Sequence, residues 1–223
     1  MELKPQTQDP QIELVEANSG EVTLLIDGGQ AMQAWERELM WEMADMLCEY
    51  GSEFLEVGLG LGISALRIAE NPRTRRHVVV EKYEQVIELF RERHPALPDS
   101  LDIVHADIYD FVHDLEPESV DGIFFDPYPT PDRYGGKALE VIPAMARALR
   151  IGGVIIPFFS RVPELNKWFE PFFRRVIVER RSFCAYPTTE YMAAMEGTTE
   201  DMPATEGTAY IQCFIKTAEP SAG

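Results

Sequence analysis

From about residue 50 onward the chain alternates short β-like apolar runs with amphipathic helical ones, and no other feature restricts its fold so strongly. The runs Glu53–Val57, His77–Glu81, Leu101–Ala106, Val120–Phe125 and Gly153–Phe158 read as strands. Between them Ile63–Glu70, Glu84–His94, Asp107–Leu115 and Lys137–Arg150 read as helices, with Gly152-Gly153 as the stop signal of the last. Strands separated by helical crossovers pair in parallel, so the pattern predicts an open, doubly wound, Rossmann-like α/β sheet. Arg174–Phe183 and Thr208–Lys216 are rich in β-formers and predict an antiparallel C-terminal pair, bringing the sheet to seven strands. A long acidic loop joins this pair and carries Glu190, Glu196, Glu200 and Asp201.

Ahead of the alternation, Gln11–Glu16 and Glu21–Ile26 flank Asn18-Ser19-Gly20, a hairpin signal. A helix is predicted from about Ala31 to Tyr50, with Met32, Leu39, Met43, Met46 and Leu47 on one face. Glu36 falls inside that apolar arc. A carboxylate buried there needs a cationic partner, a helix end or a cleft, and a place in the first helical turn, at the positive end of the dipole, is the plainer reading. The chain thus divides into an N-terminal hairpin or lid segment, 1–30, and one domain, 31–223, a length that suits a single core.

Composition narrows the partners. Thirty-eight acids against twenty bases leave a net charge of −18 at pH 7, a field that repels phosphate backbones and anionic lipid and attracts cations. Neither nucleic acid nor a membrane is expected as a partner; a homodimer is compatible with the sequence. Cys48, Cys184 and Cys213 have no zinc or disulfide spacing, and His77, His94, His105 and His113 are not arranged as metal ligands, so no metal is expected. The polar stretch Met1 to Gln11 has no basic region followed by an apolar one, and a cytoplasmic location is expected.

The first strand of the alternation runs into Glu56-Val57-Gly58-Leu59-Gly60-Leu61-Gly62 and then directly into a helix. Glycines there permit a tight turn and let backbone N–H groups approach a ligand that any β-carbon would repel. The spacing Gly-x-Gly-x-Gly departs from the dinucleotide fingerprint, which disfavours a nicotinamide oxidoreductase. Glu81 ends the next strand, where a carboxylate can accept both hydroxyls of a ribose. Asp107 follows the third, placed to accept from an adenine amino group or to cap the helix it precedes.

These residues resemble the class I S-adenosylmethionine-dependent methyltransferases. The resemblance implies that Glu56 and the Gly58–Gly62 loop serve the methionine part of S-adenosyl-L-methionine, Glu81 the ribose, and Ala106 and Asp107 the adenine. Met32, Gly60, Ile63, Lys82 and Asp126 complete the expected cofactor set, and S-adenosyl-L-homocysteine is the expected product.

Strand Val120–Phe125 runs into Asp126-Pro127-Tyr128-Pro129. Ligands of open α/β sheets bind outside the carboxyl ends of the strands, so Asp126 faces the same crevice as the glycine loop. Met32-Gln33-Ala34-Trp35-Glu36, Phe54–Gly60 and Asp121–Pro129 are similar to guanidinoacetate N-methyltransferase and its small-molecule arginine N-methyltransferase relatives. That resemblance implies that Glu36 and Asp126 hold a guanidino group, with Trp35 and Tyr128 beside it, and that backbone amides near Ser160 and Arg161 hold the substrate carboxylate. The family's His-rich stretch after the aspartate turn is replaced here by Thr130–Gly136. A guanidinium presents forked donors that two carboxylates grip, so the pair explains the otherwise unaccounted charge of Glu36. The expected activity is N-methylation of a small guanidino compound. L-Arginine is slightly favoured over guanidinoacetate because an acid of the long loop could meet its α-amino group. Methylation of arginine in proteins and a non-catalytic nucleoside-binding module are the alternatives.

Overall fold

The computed structural model describes residues 10–16, 20–128, 138–184 and 206–218. Three short strands, β1 (Ile12–Glu16), β2 (Val22–Ile26) and β3 (Gly29–Gln33), form an antiparallel sheet of their own. The first hairpin is the expected one. The third strand replaces the start of the expected helix, because Asp27 and Gly28 both adopt positive φ, 52° and 74°. An Asp-Gly pair in that conformation is a two-residue hairpin turn, and it sends Gly29–Gln33 back along β2 with Met32 opposite Leu24. A single 3₁₀ turn, Ala34–Glu36, follows, and helix α1 begins only at Arg37 and runs to Cys48. Its buried face is Leu39, Met40, Met43, Ala44, Leu47 and Cys48.

The remaining strands are β4 (Glu53–Val57), β5 (Arg76–Glu81), β6 (Leu101–His105), β7 (Val120–Phe125), β8 (Leu149–Pro157), β9 (Arg175–Cys184) and β10 (Glu206–Ile215). They make one seven-stranded sheet in the order β6-β5-β4-β7-β8-β10-β9, with β4 to β8 parallel and β10 antiparallel to both its neighbours. The crossovers carry α2 (Ile63–Ala69), α3 (Glu84–Arg93), α4 (Ile108–Phe111) and α5 (Ala138–Ala148). The pleat divides the core in two. Phe54, Val79, Phe124, Val154 and Ile156 pack with α1, α2 and α3, while Leu55, Val80, Ile123, Phe125 and Ile155 pack with α4 and α5. Among the described residues no helix is long and apolar enough to cross a membrane.

One boundary differs from the sequence expectation. Helix α5 ends at Ala148 and β8 begins at once with the buried Leu149, so Gly152-Gly153 lies inside the strand and does not stop the helix. The β7–β8 register shifts between Val120 and Gly122, and a β-carbon on Gly153 would meet the Asp121 carbonyl oxygen at 2.7 Å. The glycines mark a bulge where two backbones approach closely.

Asp121 ties the strand beginnings together. Its carboxylate accepts the Ser52 and Glu53 amides at 2.9 and 3.0 Å and the Arg150 guanidinium at 2.6 Å, and Arg150 also meets Glu53 at 2.9 Å. Burial raises its proton affinity, but the Ser52 amide, Arg150 and the Glu53 amide outweigh it and hold the carboxyl below its ordinary value. A depressed carboxyl contributes stability that is present above its unfolded pKa and lost as pH falls through the folded one. Asp121→Ala should lower the unfolding free energy by about 1–3 kcal/mol in urea at neutral pH and flatten the loss of stability in acid. An unchanged midpoint would show the clamp to be inert.

Candidate active site

The carboxyl ends of β4, β5, β6 and β7 open onto one crevice, where an open α/β sheet binds its ligands. Its floor is Val57 at the end of β4 and Gly58 and Gly60 after it, with Val80 and Glu81 at the end of β5 and Lys82 and Tyr83 after that. Ala106, Asp107, Ile108 and Tyr109 form one wall, and Asp126, Pro127 and Tyr128 the other. The N-terminal sheet covers it with Leu24, Ile26, Ala31 and Met32.

The glycine loop is shaped by its lack of side chains. Gly58, Gly60 and Gly62 have φ of 90°, 51° and 74°, which L-residues with a β-carbon avoid. A β-carbon on Gly58 would lie 2.3 Å from the Asp126 carbonyl oxygen, and one on Gly60 would lie 2.8 Å from Met32 Sδ. The Gly58 amide donates to the Val80 carbonyl at 3.0 Å, and the Leu61 amide points at Met32 Sδ, 3.2 Å away. Glu81 secures the loop from below. It is only 5% exposed and accepts the Leu59 and Tyr83 amides at 2.8 Å each. Burial raises its proton affinity, opposed by those backbone amides. Asp107 does cap its helix, accepting the Tyr109 amide at 3.0 Å, and it also meets Lys82 at 3.1 Å.

Glu36, which does not line the crevice, stands in the field of Asp126, which does. Glu36 is 4% exposed, and its Oε1 accepts the Gln33 amide at 2.9 Å in a capping box, so the plain reading of a helix-start carboxylate is satisfied as well. Its pKa is nevertheless raised to about 8, first by burial and then by the negative charge of Asp126, with the Gln33 amide and Gln30 side chain opposing. Asp126 keeps part of its surface open to the crevice, yet the surrounding protein desolvates it. Burial and then the charge of Glu56 push it up to about 7. Among the described residues no lysine, arginine or histidine forms an ion pair with either acid.

The other expected site residues divide. Met32, Gly58, Gly60, Glu81, Lys82, Ala106, Asp107, Asp126 and Tyr128 all line the crevice. Gly62 and Ile63 lie behind it, at the start of α2. Glu56 does not face the crevice: it is 1% exposed, turned toward Ser64 and His77. Trp35 stands off the crevice in an aromatic group, stacked on Phe183 at 5.3 Å and edge-on to Phe159 at 6.5 Å. The Arg161 guanidinium lies 5.7 Å over Phe183. The Ser160 amide donates to the Tyr210 carbonyl at 3.0 Å, so this N–H already has an acceptor within the fold. The acids of the 185–205 loop lie outside the described residues. Sequence reasoning overlooked Leu24, Ile26, Tyr83, Ile108 and Tyr109 as lining residues. The alternation of Leu24 and Ile26 on one face of β2 was their only visible signal.

The crevice suits S-adenosyl-L-methionine. β-Carbons at Gly58 and Gly60 would collide with the Asp126 carbonyl and Met32, Ile108 and Val80 offer apolar surface to a base, and the Glu81 and Asp126 carboxylates line the crevice as acceptors for a cationic, hydroxyl-bearing ligand.

A family model described as guanidinoacetate N-methyltransferase matches residues 5–168. Among solved structures, spermidine synthase from Thermotoga maritima superposes with a TM-score of 0.69 at 18% identity, covering 97% of this chain and 72% of that one. A spermidine synthase in complex with the transition-state analogue AdoDATO gives 0.67 at 16%, covering 97% of this chain and 72% of that one. A probable spermidine synthase from Corynebacterium glutamicum gives 0.62 at 17%, covering 96% and 80%. At such identities these structures share the fold.

Proposed function

We propose, from the premise that the chain belongs to the guanidinoacetate N-methyltransferase family, that this S-adenosylmethionine-dependent methyltransferase methylates the guanidino group of a small molecule. One observation carries the reading: Asp126 lines the crevice, the buried Glu36 stands in its field, and among the described residues no cation pairs with either acid. Two neighbouring carboxylates with raised proton affinity lower their energy when a cation enters, and a guanidinium fits both because its donors form a planar fork. The cofactor supplies an electrophilic methyl group on a sulfonium. The protein's share is alignment: the Glu36 and Asp126 carboxylates orient one guanidine nitrogen along the line of displacement, and positioning supplies much of the acceleration.

A protonated guanidinium nitrogen is a poor nucleophile. Asp126, at the open edge of the crevice, accepts its proton as the new bond forms, and a pKa near neutrality suits that role. Glu36, deeper and braced by the Gln33 amide, holds the remaining charge. We read Arg161, whose guanidinium lies over Phe183, as the partner of a substrate carboxylate. L-Arginine and guanidinoacetate both carry that carboxylate, and L-arginine remains slightly favoured on the acids of the 185–205 loop.

The two raised acids also set a pH dependence. A carboxyl whose pKa is higher folded than unfolded contributes stability that is full below the unfolded value, near 4, and lost as pH rises through the folded one. The ligand-free protein should therefore lose thermal stability between about pH 5 and pH 8, and an Asp126→Asn, Glu36→Gln double variant should lose less of it. Parallel melting profiles for the two proteins would contradict the burial of two ionisable acids at this site.

A further inference from the structure

We propose that His77, which touches neither the crevice nor the acids that line it, is a positioning residue for methyl transfer: with Ser64 it holds the Glu56 carboxylate ionised directly behind Asp126. The inference rests on the reading of Asp126 as the acid that grips the guanidino group and takes its proton.

Three strands set up the arrangement. Glu56 on β4 lies opposite Val79 on β5 and Phe124 on β7. His77 is two residues before Val79 and Asp126 two after Phe124, and the Asp126 amide continues the ladder by donating to the Val57 carbonyl at 3.0 Å. Side chains two apart share a face, so His77, Glu56 and Asp126 run diagonally across the face that α2 covers. The pair behind Asp126 is sealed: His77 is 0% exposed and Glu56 1%. Glu56 Oε1 accepts the Ser64 hydroxyl, and Glu56 Oε2 lies 2.9 Å from His77 Nε2, close but off the line of a good hydrogen bond.

At 2.9 Å two facing lone pairs would repel, and an Nε2–H turned toward the carboxylate relieves that repulsion. His77 Nδ1 is buried with no partner, and a second proton there would be a buried donor without an acceptor. His77 thus turns Nε2 toward Glu56 and leaves Nδ1 facing no acceptor among the described residues. A buried carboxylate is stabilised by polar groups that face it, and among the described residues those are the Ser64 hydroxyl, which donates to Oε1, and the His77 ring beside Oε2. Among the described residues, the charged or titratable groups that face Asp126 are Glu56 on β4 and Glu36 from the 3₁₀ turn, and those that face Glu56 are His77 on β5 and Asp126. The charge of Glu56 raises the proton affinity of Asp126 and keeps it a base near neutral pH.

The test is a ¹³C NMR titration of the Asp126 carboxyl in protein labelled at aspartate, the signal assigned by its loss in Asp126→Asn. The carboxyl should titrate about one pH unit or more lower in both Glu56→Gln and His77→Leu. His77→Gln, which keeps an N–H donor toward Glu56, should return it close to the wild-type value. The acid limb of kcat/KM should move by the same amount and in the same order. A role confined to packing predicts lower melting temperatures with the Asp126 titration unmoved, and that result would overturn the proposal. If His77→Leu fails to fold, the comparison of Glu56→Gln with His77→Gln and wild type decides it. Absence of methylation of any guanidine by the wild-type enzyme would remove the functional reading instead. The NMR titration reads the coupling independently of turnover.

Discussion

Glu36→Gln and Asp126→Asn should each lower kcat on the best guanidino acceptor by about 10²- to 10³-fold, while the affinity for S-adenosylhomocysteine stays within a few-fold of wild type. Both substitutions keep the shape of the side chain and remove the charge that orients the guanidinium. Breaking one side of a buried ionic contact costs about 3–5 kcal/mol, and the arrangement of Glu36 and Asp126 gives the fork two such sides. Because both acids grip one group, the effects should not add, and the double variant should be little worse than the poorer single one. Glu36 discriminates best, since its capping bond to the Gln33 amide offers a structural role as well. A glutamine can still accept from that amide. If capping were the whole role of Glu36, the variant would turn over normally, so wild-type kcat would remove Glu36 from the mechanism.

Gly58→Ala should abolish measurable S-adenosylhomocysteine binding, lowering affinity by about 10²-fold or more. The alanine must adopt φ near 90° at a strain of roughly 1–2 kcal/mol, and its methyl would lie 2.3 Å from the Asp126 carbonyl oxygen. That oxygen belongs to the backbone, so the loop or the Asp126 turn must move, and either movement disturbs both ligands at once. Gly152→Ala is the control. It has φ of 86° with no atom within 4 Å of the added carbon, so it carries the backbone strain without the collision. Calorimetry should find affinity lost in the first variant and kept in the second, and equal losses in both would mean that the cradle is not what the ligand needs.

The parallel sheet was legible because each of β4 to β8 is a short apolar run bounded by an amphipathic helix, and period alone separates the two. The residues that line the crevice at the ends of β4, β5 and β7 were legible for a related reason: strand ends in such a sheet fall at predictable places, which put Gly58, Glu81 and Asp126 together. The N-terminal region was harder. Met32 fits an apolar helical face as well as an alternating strand, and only the Asp27-Gly28 turn, with both residues at positive φ, decides for the strand. Gly152-Gly153 misled for the opposite reason, since paired glycines serve a helix end and a bulge equally. Side-chain direction was the least accessible. Glu56 sits where the sequence pattern points to a ligand, yet the pleat turns it behind the loop toward Ser64 and His77, and nothing in a one-dimensional pattern distinguishes those two faces. Likewise Ser160 follows β8 as expected, but its amide has already been taken up by Tyr210, on a strand fifty residues away.

The most direct measurement is incubation of the protein with S-adenosylmethionine and a panel of free guanidino compounds, including L-arginine and guanidinoacetate, with products identified by mass and NMR. At least one compound should gain one methyl mass on a guanidine nitrogen, matched by S-adenosylhomocysteine released in equal amount, and the Asp126→Asn protein should give neither. S-adenosylhomocysteine binding without methyl transfer to any guanidine would contradict the proposed activity and leave a nucleoside-binding module in its place.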